Sequence, residues 1–181
     1  MLSESSSPSS DTNPDADRLL HLDLVKVIRC PGEFNSYLVA QKSYRKGEVI
    51  CSLDGVTKGP KAYSSVQYDV DPDAHIELNS DLLYVNHSCE PNVKFDVSSP
   101  DMANWTFAAS TDIEEGSTLC FFYPSTEWNM ATPFECNCKT QTCLGTIRGA
   151  AFLSRDELQK RGFINRHIWE LVQQRELTEG H

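Results

Sequence analysis

Three cysteines fall close together as Cys136-Asn-Cys138-Lys-Thr-Gln-Thr-Cys143. Thiolates at this spacing can wrap one loop around a single zinc ion. A structural zinc takes four ligands in a tetrahedron, so one must come from elsewhere in the fold. No Cys or His follows closely, and His167 falls in a helical stretch. A redox pair of thiols is the competing reading. A second polar run is Asn86-His87-Ser88-Cys89-Glu90-Pro91-Asn92. Taken alone it is a tight turn between strands, because Asn and Ser beside Pro bond to their own backbone. A third stretch, Gly116-Ser117-Thr118-Leu119-Cys120-Phe121-Phe122-Tyr123, is a glycine turn feeding a strand that ends in aromatics. By itself Tyr123 reads as a core residue with a satisfied hydroxyl.

The chain that must position these groups has 181 residues, enough for one domain with a real core. Its 16 Lys+Arg and 26 Asp+Glu give a net charge of −10. That balance argues against direct nucleic-acid binding and favours cationic ligands. No run approaches the ~18 apolar residues of a membrane span. The first residues carry neither a signal-peptide nor a transit-peptide pattern, so an intracellular, reducing compartment, cytoplasm or nucleus, is expected. There, seven cysteines read as ligands or thiols rather than disulfides. Residues 1–17 hold six serines, two prolines, four acids and no basic residue. Such a segment buries too little apolar surface to offset chain entropy, and residues 1–18 are expected to be a disordered, solvated tail.

From Leu19 the texture changes. Short apolar runs at 22–28, 36–40, 49–53, 65–70, 75–78, 93–97, 104–109 and 118–123 read as strands separated by Asp, Pro, Gly and Ser. Their number and brevity predict a β-rich α+β domain. At the carboxy end, Ser154-Arg155-Asp156-Glu157 is a capping box that starts a short helix, which Gly162 ends. Asn165 is placed to cap a second helix with Ile168, Leu171 and Val172 on one face. Trp169 and Phe163 are expected to pack on the β core.

Together and in this order, the three chemical stretches resemble the SET domain of protein lysine methyltransferases. Residues 86–92 match that family's Asn-His-Ser-Cys-x-Pro-Asn signature, residues 116–123 are similar to its Gly-Glu-Glu-Leu-Thr-Phe-x-Tyr segment, and Cys136, Cys138 and Cys143 look like its post-SET cysteines. The resemblance runs from about Leu22 to Arg148. It implies a SET fold of small curved sheets around a pseudoknot, divided as 19–130 SET domain, 131–149 post-SET zinc loop and 150–181 helical segment. It also supplies Cys89 as the fourth zinc ligand. The sequence departs from the family in several places. A Gly-x-Gly near the start is replaced by Glu33-Phe34-Asn35-Ser36-Tyr37, with Gly32 the nearest glycine; Leu83-Tyr84-Val85 stands for Arg-Phe-Ile; the 51–86 segment is short; and the pre-SET cysteines are missing. Cys30, Cys51 and Cys120 have no partner by spacing and read as buried thiols.

The resemblance implies methyl transfer from S-adenosylmethionine to a lysine-type ε-amine. The acceptor is a lysine-containing protein, with free lysine or another small cationic amine as the alternative and a non-catalytic SET-like binding module as a third reading. Tyr123 is the implied catalytic tyrosine, with Tyr68 a second candidate. Asn86 and His87 are implied cofactor contacts, with Asn35 and Ser36 offering backbone groups. Phe134 or Trp128 is placed to cover the adenine. Phe121, two residues before Tyr123, lines the substrate side, and a Phe there leaves room for di- or trimethylation.

Overall fold

The computed structural model describes residues 23–180, so the serine-rich tail and Leu22 lie outside the described residues. The apolar runs fold into three small sheets and a hairpin. In the first sheet, β1 (Val25–Ile28) pairs antiparallel with β2 (Tyr37–Ala40). The second holds β3 (Val49–Ser52), with a register irregularity between Val49 and Cys51. The third is built from β4 (Thr57–Gly59), β5 (Val66–Gln67) and β6 (His75–Glu77), with β6 in the middle. A 3₁₀ turn over Asp81–Tyr84 leads into β7 (Asn86–His87). The strands β8 (Val93–Asp96) and β9 (Thr106–Ala109) complete the second sheet in the order β3-β9-β8. The strand β10 (Thr118–Phe121) returns to the first sheet, antiparallel to β2 and parallel to β7. The hairpin β11 (Phe134–Glu135) with β12 (Thr146–Ile147) brackets the cysteine loop. The helices α1 (Arg155–Gln159) and α2 (Arg166–Glu179) close the chain.

Alternation decides which side chains go inward. In β8, Val93 and Phe95 are buried while Lys94 and Asp96 are half-exposed. Leu38, Ile76, Phe95, Phe107 and Leu119 are fully buried in the main core. Each contributes roughly 1.5–3 kcal/mol by leaving water. At the end of β10 the alternation splits between two cores. Phe121 turns into the main core, and its neighbour Phe122 joins a second one with Ala150, Leu158, Ile164, Ile168 and Val172. Tyr123 therefore lies at the seam. The second core closes tightly at Gly149, where a Cβ would stand 2.4 Å from the Trp128 carbonyl oxygen, so only glycine fits.

The Ser154–Glu157 capping box is present in both directions. The first helix stops at Gln159, and Gly162 follows in the turn to α2. Two expectations need correction. Trp169 packs on the second core rather than the sheets, and Phe163 lies at the β8 surface with the Lys94 Nζ 3.9 Å from its ring centre. Asn165 sits at the N-cap position of α2, but its side chain makes no capping bond. Instead Oδ1 accepts from the Val97 N–H at 2.8 Å and the Ser98 hydroxyl at 3.1 Å, while Nδ2 donates to the Phe95 and Ser125 carbonyls at 2.9 and 3.0 Å. This fully buried amide joins the second sheet, the turn after Tyr123 and α2. Asn165→Ala strands these partners away from water, so it is expected to cost about 3 kcal/mol. At roughly 2–4 °C per kcal/mol for a chain of this size, thermal denaturation should show a fall in Tm of about 6–12 °C.

Candidate active site

The parallel pairing of β7 with β10 sets Cys120 opposite Asn86 and Phe121 opposite His87. Two distant segments are thereby locked side by side. Asn92 fastens the crossing, with Oδ1 accepting the Cys120 N–H at 2.9 Å and Nδ2 donating to the Thr118 carbonyl at 2.8 Å. Asn86 Nδ2 donates to the Ser36 carbonyl at 3.1 Å, which brings the loop between β1 and β2 against the crossing. The Ser36 hydroxyl in turn accepts the Cys30 N–H at 3.3 Å.

His87 Nδ1 accepts the Tyr123 N–H at 3.2 Å, so the proton of the neutral ring sits on Nε2, 3.4 Å from Cys89 Sγ. Burial, with Arg161 adding to it, lowers the His87 pKa to about 4. The ring lies 5.1 Å from Tyr123, 5.7 Å from Phe122 and 5.7 Å from Phe134, centre to centre. Phe134 also stands 5.8 Å from the Tyr123 ring, so the hairpin that carries the cysteine loop delivers an aromatic to the same place.

Tyr123 donates its hydroxyl to the Val85 carbonyl at 3.2 Å. Burial raises the phenol pKa well above its ordinary value, with the nearby Cys120 thiol adding to the rise. The group is protonated at any working pH and acts as a donor. Phe121 is nearly buried, 4.7 Å from the Tyr123 ring and 4.8 Å from that of Phe95. Phe121 and Tyr123 form one wall of a narrow cavity of about 40 Å³ whose other sides include Val66, Leu82, Val85 and Glu127. Tyr63, largely exposed and edge-on to Phe34 at 5.5 Å, stands at its mouth.

The sulfurs of Cys89, Cys136, Cys138 and Cys143 all lie within 4.8 Å of one another. Cys89 and Cys136 are 3.9 Å apart, close to the edge of a tetrahedron with zinc–sulfur bonds of ~2.3 Å. Backbone N–H groups of Leu144 and Cys138 donate to Cys89 and Cys136 sulfur at 3.4 Å, as suits thiolate ligands. The donor set fits one structural zinc. It could hold that ion directly behind His87.

A sequence model of the SET domain matches residues 35–124. Methyltransferase flvH of Aspergillus flavus is 33% identical over 159 residues, which is 87% of this chain and 86% of that protein. The chain belongs to the SET-domain methyltransferase family. Histone-lysine N-methyltransferase ash1 of Drosophila melanogaster is 36% identical over 73 residues, covering 40% of this chain but 3% of that protein. Among solved structures, KRYPTONITE in complex with mCHG DNA and SAH superposes with a TM-score of 0.50 at 20% identity. It covers 67% of this chain and 28% of its own length, and it carries the likeness of fold.

Within this SET domain the structure gathers Ser36, Asn86, His87, Phe121, Tyr123 and Phe134 around one crossing, with the four cysteines beside them. Two candidates, Tyr68 and Trp128, are placed elsewhere. Tyr68 packs against Trp105 at 5.2 Å and has Lys58 over its ring, and the Tyr123 cavity is lined without it. Asn35, expected to offer backbone groups only, directly precedes Ser36, and its side chain donates to the Pro31 carbonyl at 2.7 Å within its own turn. Trp128 belongs to the second core, under Arg175. The cysteines without spacing partners, Cys30, Cys51 and Cys120, are half-buried rather than buried. Tyr63 and Glu127 line the cavity and were not marked by sequence. The one signal available for Glu127 was a lone acid four residues beyond Tyr123, in a stretch otherwise poor in charge.

Proposed function

We propose that this SET domain methylates a lysine side chain of a protein and carries it to the di- or trimethylated state, with S-adenosylmethionine as donor. The observation that carries the reading is the Tyr123 hydroxyl. It is turned inward to the Val85 carbonyl at the wall of a narrow, largely apolar cavity, against the Asn86–His87 crossing. When bound, the donor supplies a methyl group activated by a sulfonium.

The chain's own residues orient and desolvate. Asn86 fixes the β1–β2 loop, His87 presents a neutral ring, and Phe134 offers an aromatic face. The amine attacks only as the neutral base, although lysine has a pKa of ~10.4 in water. Desolvation by the apolar walls acts to lower that value. Holding the amine in line with the methyl group is worth several kcal/mol. The name of the ash1 relative, histone-lysine methyltransferase, and the charge of −10 both favour a basic protein segment as acceptor.

The test is radiolabelled methyl transfer from the donor to core histones, to cell lysate and to free L-lysine, with mass spectrometry of the products. Label on a protein lysine, reaching two or three methyl groups, is expected. Label on L-lysine alone replaces the protein acceptor with a small amine, and no labelled acceptor overturns the reading. Phe121→Tyr adds a hydroxyl to the wall of a cavity of about 40 Å³. It is expected to slow the second methylation at least tenfold and leave a monomethylated product. A wild-type reaction that stops after one methyl group contradicts the assigned product.

A further inference from the structure

The wall of the Tyr123 cavity holds a charge that the fold does not explain. Glu127 is 6% exposed and sits one turn beyond Tyr123, its N–H donating to the Tyr123 carbonyl at 3.0 Å. Its Oε1 is occupied, accepting the Gln67 N–H at 2.8 Å and the Thr126 hydroxyl at 3.4 Å. Its Oε2 faces His75 Nδ1 at 4.0 Å, beyond hydrogen-bond reach, and that nitrogen is engaged by the Ser65 hydroxyl at 3.0 Å. Among the described residues no Lys or Arg pairs with this carboxylate. A buried acid without a cationic partner is costly. A glutamine would accept the same two bonds through its carbonyl oxygen, so the fold needs the shape but not the charge. Apart from Ser64, Ser65 and the two tyrosines, the other walls, including Val66, Leu78, Leu82, Val85 and Phe95, are apolar.

We infer that Glu127 is the proton acceptor for the substrate amine: its free carboxylate oxygen docks the incoming ammonium in the Tyr123 cavity and takes the proton that must leave before methyl transfer. This rests on the methyl-transfer reading and deepens it. The ammonium R–NH₃⁺ gives one proton to Glu127–COO⁻, leaving R–NH₂ and Glu127–COOH. The nitrogen lone pair then forms the N–C bond as the C–S bond breaks, and that electron pair stays on sulfur as the neutral thioether. The proton on Glu127 passes to solvent at the cavity mouth beside Tyr63, which readies the carboxylate for the next methylation.

The surroundings suit the task. Burial lifts the Glu127 pKa to about 7, offset in part by the Gln67 N–H and by Lys61. His75 on β6 and His167 on α2, whose Nε2 lies 2.8 Å from the Thr126 carbonyl, both have pKa values lowered by burial and stand neutral. Tyr123 stays protonated beside it. Lys61 is thus the cation that acts on Glu127 from outside the cavity. A base with a pKa near the working pH is the efficient kind.

The experiment is the pH profile of kcat/KM for wild type and Glu127→Gln, with melting temperature and S-adenosylhomocysteine affinity as controls. Wild type is expected to rise through a midpoint at about pH 7 to a plateau above it, because the carboxylate is ionised above that pH and the amine is protonated below ~10.4. E127Q must wait for free neutral amine. It is expected to be roughly 10²–10³-fold slower at pH 7.5 and to recover about tenfold per pH unit until it nears wild type at pH 10. Parallel profiles, or a loss equal at every pH, overturn the assignment. If E127Q does not fold, a wild-type profile without a limb near pH 7 overturns it as well. If wild type methylates no acceptor, the methyl-transfer reading fails separately. Glu127 is then read by calorimetry with n-butylammonium, which is expected to bind wild type at least tenfold more tightly than E127Q. Equal affinities refute the docking role.

Discussion

Tyr123→Phe is expected to lower kcat for methyl transfer by roughly 10²–10³-fold, with S-adenosylhomocysteine affinity nearly unchanged. The ring remains to pack against Phe121, His87 and Phe134, so the walls of the site survive the change. What disappears is one oriented hydroxyl that holds the Val85 carbonyl at 3.2 Å. Its raised pKa means that it withdraws no proton from the amine, so its contribution is geometric. With the hydroxyl gone, both the carbonyl and the attacking nitrogen gain freedom at the point where alignment sets the barrier. A loss of that size corresponds to roughly 2.7–4 kcal/mol. The missing hydrogen bond costs only about 1 kcal/mol of stability, which a thermal melt will show as a small shift. Turnover at saturating donor and acceptor is the measurement. A kcat within threefold of wild type would remove Tyr123 from the centre of the site.

The same residues show what a sequence can and cannot disclose. The strand ending at Tyr123 and the Asn86–Asn92 run were legible because their order of residue types is unusual. Their meeting was not legible from periodicity. Only two residues of β7 pair with β10, too few to give an alternating pattern, and the same holds for β11 and β12. The resemblance supplied that crossing, and it also supplied Cys89. By spacing, the cluster at 136–143 offered three ligands, and the fourth lies 47 residues earlier in the chain, where only the fold brings it within 3.9 Å.

Side-chain placement is set by tertiary contacts that residue type and position do not disclose. Tyr63, in the turn before β5, and Tyr68, just after it, are close in sequence, yet Tyr68 meets Trp105 while Tyr63 lines the cavity. Asn165 has the type and position of a helix cap, yet a buried amide with four partners gains more from joining three elements than from closing one helix end. Glu127 gave almost no sign in the sequence, because an acid near a chain turn is ordinarily solvated.

An effect of similar size is expected from the thiols. Cys89→Ser, or a chelator at moderate dose, should abolish methyl transfer by at least ~100-fold while the main β core still melts cooperatively. Wild-type protein should carry one zinc per chain, and the variant far less. The separation follows from where the cysteines stand. Cys89 is buried beside His87, but Leu38, Ile76, Phe95, Phe107 and Leu119 pack with no contribution from the sulfurs. The loop from Glu135 to Thr146 has few other anchors. Arg161 reaches the carbonyls of Cys89 and Thr142 at 3.1 and 2.7 Å, and Thr142 bonds to Glu90. Freed from a common metal, four thiols in one place no longer hold this loop, and Phe134 at its base loses its position 5.7 Å from His87. Activity should therefore fall at a lower chelator dose than the far-UV signal of the sheets. Coincident loss of activity and sheet structure would show instead that the metal holds the whole fold, because the loop could then not be released without the β core.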